Sequence, residues 1–473
     1  RLSTPGGAPL ARHGVLAVDL DGDGTPEIAM AGDGGLSIHR RGAGGAWSDV
    51  TGAVIDDDLT APAYSGVWAV DLELDGDIDL VVAEAGGARG PGYGAPPGPL
   101  VLVNGGDGSW TSTSPFGGPA AVEDVAWADL DGDGDPDVAL LAEGTVRVFD
   151  NARGGVYSPW DEPDLHGAEA LTVADADRDG RLELVAAVAG PGGRSVRTAA
   201  RSDGGWDVAT LVAPDALASA DPDAIALAPA VVLVGDLDNN GASDLIVAGH
   251  GSSAAFLADA DGSLMEHGEI ALRAAALADL DGDGRLEVLG WRPEDGAALR
   301  ASTTGEAEYG WQLVRPRAIA AGDQRNNAFG LGGQAEVRAG LLVQKQPIAA
   351  GVLHFGLGDQ TSAQALRIRW PNGTFQAEFD VAPSTDFVAN QRLKGSCPWL
   401  FAWDGTEMAF VTDVLWRSPL GLRINAQATA GVVQTFDRVR IPGTGLAPRD
   451  GAYDLRITAE LWETHFFDLV GLQ

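Results

Sequence analysis

An all-β chain, a calcium-binding β-propeller followed by small β-sandwich-like domains, is what this sequence predicts, and three observations predict it. An acidic turn between two apolar runs recurs six times, at intervals of 52, 58, 46, 61 and 43 residues, a period that belongs to propeller blades rather than to heptads or helical repeats. Glycine makes up 66 of the 473 residues, and glycine supplies the positive φ angles that tight turns between short strands need. Past about Ala320 the acidic turns stop and alternating, strand-like stretches take over. Length alone suggests roughly three domains, and a propeller lowers that number.

The repeats come first in the chain, after a short segment at 1–13. Each has an apolar run, the acidic turn, a second apolar run and two weaker strand-like stretches. In the third repeat these are "DVAWAD", "PDVALLA", "TVRVFD" and "GVYSPW", four short strands that make one blade. From Gly14 to about Arg315 there are six such units. Six blades is the direct reading; a seventh completed by flanking strands is the alternative.

The acidic turn carries the chemistry. In the first copy, "AVDLDGDGTPEIAM", side-chain oxygens fall at positions 1, 3, 5 and 9 counted from Asp19, with Gly at position 6. The four positions are Asp19, Asp21, Asp23 and Glu27 in the first copy, Asp71, Glu73, Asp75 and Asp79 in the second, and Asp129, Asp131, Asp133 and Asp137 in the third. They are Asp175, Asp177, Asp179 and Glu183 in the fourth, Asp236, Asp238, Asn240 and Asp244 in the fifth, and Asp279, Asp281, Asp283 and Glu287 in the sixth. Calcium takes six to eight oxygens, and alternate carboxylates on a loop bent at a glycine can wrap one ion. Two like charges about 4 Å apart repel by roughly 4 kcal/mol at an effective dielectric near 20, so a cation is the natural counterpart. Up to six Ca2+ ions are expected, the fifth site being weakest because it has three carboxylates. An EF-hand is excluded, since it needs Glu at position 12, where these copies have Met30, Val82, Leu140, Ala186, Val247 and Gly290. Asx turns without an ion explain one such copy more readily than six in register.

These repeats, with stretches such as "DLDGDGTPEI" and "DLDGDGDPDV", resemble the FG-GAP/VCBS repeats of integrin-α-like β-propellers. The resemblance implies calcium held by the four side-chain positions and by the backbone carbonyl at position 7: Thr25, Asp77, Asp135, Arg181, Ala242 and Arg285. Residues 320–381 resemble the ASPIC/UnbV domain found in cartilage acidic protein and its bacterial relatives. That match rests on Asn326, Gly330, Gly332, the run His354 to Gly358, and Trp370-Pro371-Asn372-Gly373, while "QRNNAFGLG" departs from the usual start of the family pattern. "ALRIRW" and "TFQAEFDV" read as strands joined at a "PNG" turn. His354 has no catalytic partner in its motif and is expected to be structural. Asn372-Gly373-Thr374 fits a glycosylation sequon but is expected to be only a turn.

Residues 382–473 read as a further β domain, with a hairpin around "WDG" whose Trp399, Phe401, Trp403 and Phe410 form one apolar face. Core is the expected use of that face; a sugar-stacking platform is the rival. The strand-like end "FFDLVGLQ" fits a domain that continues beyond it. "RGPGYGAPPGP" from Arg89 reads as an insertion in the second blade.

Composition bounds the function. The formal net charge is −37 and the pI about 4.3, which argues against nucleic acid and anionic membranes as partners. No apolar run is long enough to span a bilayer. Cys397, the one cysteine, excludes an internal disulfide and a Cys-based zinc site. The expectation is a non-catalytic, calcium-stabilised binding or adhesion scaffold, extracellular, at the cell surface or periplasmic, recognising a protein or glycan. The alternatives are a calcium-dependent polysaccharide-degrading enzyme of lyase type and a structural domain of a surface assembly. Partner identity and oligomeric state stay open at this level.

Overall fold

The computed structural model describes residues 2–42, 44–55, 62–85, 98–117, 121–152, 155–217, 230–249, 251–259, 262–304, 308–318, 326–392 and 398–414, and from 439 onward 439, 441, 445–458, 467 and 469–472. Six antiparallel blades follow one another, the first two joined into one eight-stranded sheet by a parallel contact between His13 and Gly66 and the other four each a separate sheet. Blade 1 is Leu10–Val18, Glu27–Gly32, Gly35–Arg41 and Trp47–Asp49; blade 2 is Tyr64–Val70, Asp79–Glu84, Leu100–Asn104 and Trp110–Thr113. Blade 3 is Asp124–Ala128, Asp137–Ala142, Thr145–Asn151 and Tyr157–Pro159; blade 4 is Ala168–Ala174, Glu183–Gly190, Gly193–Ser202 and Gly205–Val212. Blade 5 is Val231–Gly235, Asp244–Ala248, Ser253–Ala258 and Leu264–Ile270, and blade 6 is Arg273–Ala278, Glu287–Trp291 and Ala298–Ala301.

The burial of each strand explains its sequence. Every residue of Asp137–Ala142 is buried, because blades on either side cover both faces of a second strand, and such strands read as unbroken apolar runs. First strands such as Asp124–Ala128 alternate between buried and half-buried, since one face looks into the axial cavity. Neighbouring blades share cores: Val70, Leu72, Phe116, Val138 and Phe149 fill the space between blades 2 and 3, and Ala170, Val185, Val232, Leu245 and Phe256 that between blades 4 and 5. Each fully buried Val, Leu or Phe side chain contributes about 1.5–3 kcal/mol. Among the described residues no such cluster joins blade 6 to blade 1.

One expectation changes at the end of the repeats. The stretch to Arg315 was read into the sixth blade, yet Gly310–Arg317 is the central strand of another sheet, antiparallel to Leu353–Gly358 and parallel to Thr385–Asn390. The reason lies in its apolar side: Gln312, Leu313 and Val314 are buried, and Val314 packs with Phe355 and Trp370 rather than with blade 6. The second sheet of this unit has the order Leu342–Pro347, Gln334–Ala339, Ala363–Arg369, Phe375–Val381. Its buried face, Ala335, Val337, Leu366 and Ile368, joins the same core. The tight turn read at "PNG" is present, with Gly373 at φ 82° and its N–H donating to the Trp370 carbonyl at 2.8 Å. Asn372 caps that turn by accepting from the Thr374 N–H and hydroxyl, and its own N–H donates to Asn326, so the two separated motifs meet in space.

The "WDG" hairpin pairs Trp399–Trp403 with Met408–Asp413, and Leu455–Thr458 adds a third strand. Trp399 and Phe401 are buried against Phe379, which makes them core; Phe410 lies tilted against Trp399, ring centroids 4.8 Å apart, and is exposed. Cys397 and most of the "RGPGYGAPPGP" insertion lie outside the described residues.

Candidate metal centre

Each acidic turn leaves the first strand of a blade and enters the second. Its backbone is set by two left-handed residues. Position 6 is glycine in all six copies, at φ 82° to 108°. Position 4 is also left-handed, at φ 55° to 83°, and is filled by Gly22, Leu74, Gly132, Arg178, Asn239 and Gly282. A left-handed Leu or Arg costs roughly 1–2 kcal/mol, so the loop geometry is imposed even where glycine is missing. Position 5 accepts the N–H of position 7 in every copy, for example Thr25 to Asp23 at 2.6 Å and Ala242 to Asn240 at 2.7 Å. Position 1 accepts the N–H of position 6 in copies 1, 2, 4, 5 and 6.

Position 9 does something the sequence did not reveal. Its carboxyl accepts the N–H of position 2 in all six copies at 2.7–3.0 Å: Leu20 to Glu27, Leu72 to Asp79, Leu130 to Asp137, Ala176 to Glu183, Leu237 to Asp244 and Leu280 to Glu287. Where it is Asp, the second oxygen accepts an N–H at the end of the blade's third strand, from Asn104, Asn151 or Ala258. Where it is Glu, Arg40 and Arg300 of the third strand approach the second oxygen in blades 1 and 6, at 2.8 and 3.6 Å. The residue is thus a clip across three strands. The signal for it was the run of identical spacing, read only as a ligand position.

The remaining carboxylates converge. Ligand oxygens of Asp19, Asp21 and Glu27 lie within 4.8 Å of one another, as do those of Asp129, Asp131 and Asp137, of Asp236, Asp238 and Asp244, and of Asp279, Asp281 and Glu287; the fourth loop gathers Asp175, Asp177, Asp179 and Glu183. The second loop, described in full, forms no such group. There position 3 is Glu73, half-buried and interacting with Asp79, with one oxygen buried and without a hydrogen-bond partner. The structure therefore groups five of the six expected sites.

Burial without a cation disturbs these acids strongly. Desolvation pushes Asp79 up to about 9, Asp137 and Glu183 to about 8, Asp244 to about 7 and Asp175 to about 6. Burial also raises Asp71 and Asp236 well above the ordinary carboxylate range, with neighbouring carboxylates adding to the effect. Buried oxygens on Asp19, Asp175, Glu183 and Asp236 accept no hydrogen bond. A buried carboxylate oxygen without a partner is costly, and a divalent ion with hard oxygen preference satisfies it. The donor set therefore fits calcium.

The second unit sits on this face of the propeller. Gln334 and Arg369 donate to the same Asp129 oxygen, each at 3.0 Å. Lys345 donates to the Gly180 carbonyl at 3.0 Å, the Gly358 N–H to the Asn239 carbonyl at 2.9 Å, and the His354 ring bonds the Gly284 carbonyl at 2.9 Å. His354 is thus a docking residue, in line with the structural role expected of it. Its Leu331, Pro347 and Ile348 also line one side of the axial cavity of roughly 320 Å³, together with Trp68, Trp127 and Leu171.

The FG-GAP-like repeat family matches residues 19–82, 129–186 and 236–290, each span opening on a position-1 aspartate and covering two acidic loops. The family described as ASPIC and UnbV matches residues 322–394. No curated protein matches the chain. Solved structures similar to it include an Agrocybe aegerita lectin described as specifically recognising non-reducing terminal N-acetylglucosamine, at 19% identity over 60% of this chain and 76% of that one, with a TM-score of 0.42. The Dos1 propeller is 8% identical over 59% and 67%, TM-score 0.37, and a putative 6-phosphogluconolactonase from Bacteroides fragilis is 14% identical over 52% and 67%, TM-score 0.33.

Proposed function

We propose that this chain, an FG-GAP-repeat propeller carrying an ASPIC/UnbV domain, is a calcium-stabilised, non-catalytic binding scaffold that works outside the cell, at its surface or in the periplasm. The observation that carries this reading is the set of buried, unpartnered carboxylate oxygens on Asp19, Asp175, Glu183 and Asp236, each inside a converging acidic group. Asp19, Asp21, Asp23 and Glu27, and their counterparts in the other loops, would hold the ions, with the carbonyls of position 7 completing the shell. The ions supply structure: each loop ties the first strand of its blade to the second. At a free concentration about ten times the dissociation constant, one occupied loop adds about 1.4 kcal/mol. Extracellular calcium modules work with dissociation constants around 10⁻⁴–10⁻³ M, so such loops fill outside the cell and empty in the cytosol. Recognition of a protein or glycan falls to surfaces away from the ions.

The test is retention of the purified chain on a panel of acidic and neutral polysaccharides, in calcium and in chelator, with chain cleavage scored alongside. Retention without cleavage, lost in chelator, is expected. Cleavage of a polysaccharide would replace the scaffold reading by an enzymatic one, and failure to bind calcium in a direct titration would remove its foundation.

A further inference from the structure

The second unit grips four of the acidic loops, and it does not grip them alike. On loops 4, 5 and 6 its contacts go to backbone carbonyls, those of Gly180, Asn239 and Gly284. Loops 1, 4 and 6 have arginines of their own blades on their carboxylates, Arg40 on Asp21 and Glu27, Arg181 on Asp179 and Arg300 on Asp281, and the position-1 acids of loops 4 and 5 keep a bare buried oxygen, as does Asp19 in loop 1. On loop 3 the contact goes to the carboxylate itself. One Asp129 oxygen accepts the Gly132 N–H at 2.8 Å, and the other accepts both Gln334 and Arg369. The same guanidinium also donates to the Gly132 and Asp133 carbonyls, so it is fixed on the loop by three acceptors, its side chain only 16% exposed. Asp129 is nevertheless one of the three acids that converge in loop 3.

We propose that Arg369 is a built-in counter-ion of loop 3: docking of the second unit neutralises Asp129 with a guanidinium, so that this loop takes a divalent cation less readily than loop 5, and loading it weakens the docking. The inference rests on the calcium reading above and assigns it unequally among the loops. A fixed positive charge beside a first ligand repels a dication and occupies the lone pairs it would use. Coupling of this kind is reciprocal: whatever Arg369 takes from cation affinity, the cation takes from docking. On sequence alone the fifth loop ranks lowest, for want of a carboxylate at Asn240. The structure moves that place to loop 3, which has five carboxylates but also a cation brought by the second unit onto its position-1 acid.

The experiment is a calorimetric calcium titration of the whole chain as wild type, Arg369→Gln, Arg369→Lys, Asp131→Asn and Asp238→Asn, with hydrogen exchange of strand 363–369 followed in parallel. Arg369→Gln is expected to raise the affinity of one site by about tenfold or more, and Arg369→Lys, which keeps the charge, to stay near wild type. Asp238→Asn in loop 5 removes one tight ion, whereas Asp131→Asn in loop 3 leaves the tight ions unchanged; this pair decides the matter even if the arginine variants fold poorly. Exchange of strand 363–369 rises in wild type at the calcium concentration that fills the last site. Identical isotherms for wild type and Arg369→Gln, or loss of a tight ion in Asp131→Asn, overturn the inference while leaving calcium binding intact. An absence of any calcium binding overturns both.

Discussion

Within a loop, identical residue types do different work, and substitution separates them. Asp179 at position 5 accepts the Arg181 N–H with one oxygen and the exposed Arg181 guanidinium, a contact worth little, with the other, and Asn240 shows that an amide oxygen does the first job in loop 5. Asp179→Asn should therefore leave the ion-free fold within about 0.5 kcal/mol of wild type and lower calcium affinity, as read by urea denaturation in chelator and by titration. Asp137 is different: its two oxygens accept the N–H groups of Leu130 and Asn151, and an amide would turn a donor toward one of them. Asp137→Asn should cost about 2–3 kcal/mol even without calcium; equal stabilities of the two variants in chelator would sink the clip assignment. The titration of these acids gives a second test. Asp79, Asp137, Glu183 and Asp244 have folded values of about 9, 8, 8 and 7, above the ordinary carboxylate range. Between about pH 4 and 9 the ion-free fold thus holds protons that the unfolded chain has lost, and its stability falls as pH rises through that window. In chelator the melting temperature should drop from pH 5 to pH 9. In calcium the same acids are ionised as ligands, protons leave on binding, and the downward slope should flatten; a rising melting temperature in chelator would contradict the burial seen here.

At the scale of the strand and the loop, much was legible before the structure. The six loops, the glycine at position 6 and the strands around them follow from local rules, because a bend at "DGDG" and a run such as "PDVALLA" declare themselves within ten residues. What was not legible is whatever joins distant elements. Arg369 meets Asp129 across 240 positions, and nothing in "ALRIRW" marks one face of that strand as a docking face rather than a solvated one. Gly310–Arg317 likewise has the pattern of a blade strand, and only its partners at Leu353–Gly358 and Thr385–Asn390 place it elsewhere. The failure of loop 2 to converge is a third case, since its acidic pattern, with Glu73 at position 3, reads like that of the other loops. Docking can be probed at an element that has no backbone strain of its own. A Cβ at Gly356 would fall 1.9 Å from an Asp236 oxygen and 2.6 Å from Asn239, so Gly356→Ala forces the strand and loop 5 apart. Overpacking of this kind costs about 1–3 kcal/mol, and it should appear as faster proteolysis near the junction at 301–318 and as weaker binding at loop 5. Unchanged proteolysis would mean that the two surfaces yield to each other freely.

Over the whole molecule the charge is concentrated where the two units meet. The chain carries a net charge of −37, and 25 of its 68 acids belong to the six loops, all at the ends of first strands and so on one face of the propeller. Arg369, Lys345 and His354 of the second unit face that same surface. Two agents can therefore relieve the repulsion there: ions that bind in the loops, and mobile salt that screens the loops from one another. They differ in concentration and in reach. Bound calcium acts at its dissociation constant and within a single loop, whereas sodium chloride acts through a screening length of about 8 Å at 0.15 M and about 3 Å at 1 M. In chelator, raising sodium chloride from 0.05 to about 0.5 M should then recover part, not all, of the melting temperature that calcium gives, because screening softens loop-to-loop repulsion but leaves the oxygens of Asp19, Asp175 and Asp236 without a partner. In calcium the same salt series should move the melting temperature little, since the loops are already compensated. Scanning calorimetry at fixed pH reads both series. Full recovery by sodium chloride alone would reduce the loops to a general charge burden and remove the need for specific ions; no recovery at all would mean that repulsion between loops contributes nothing and that stability is lost within each loop separately.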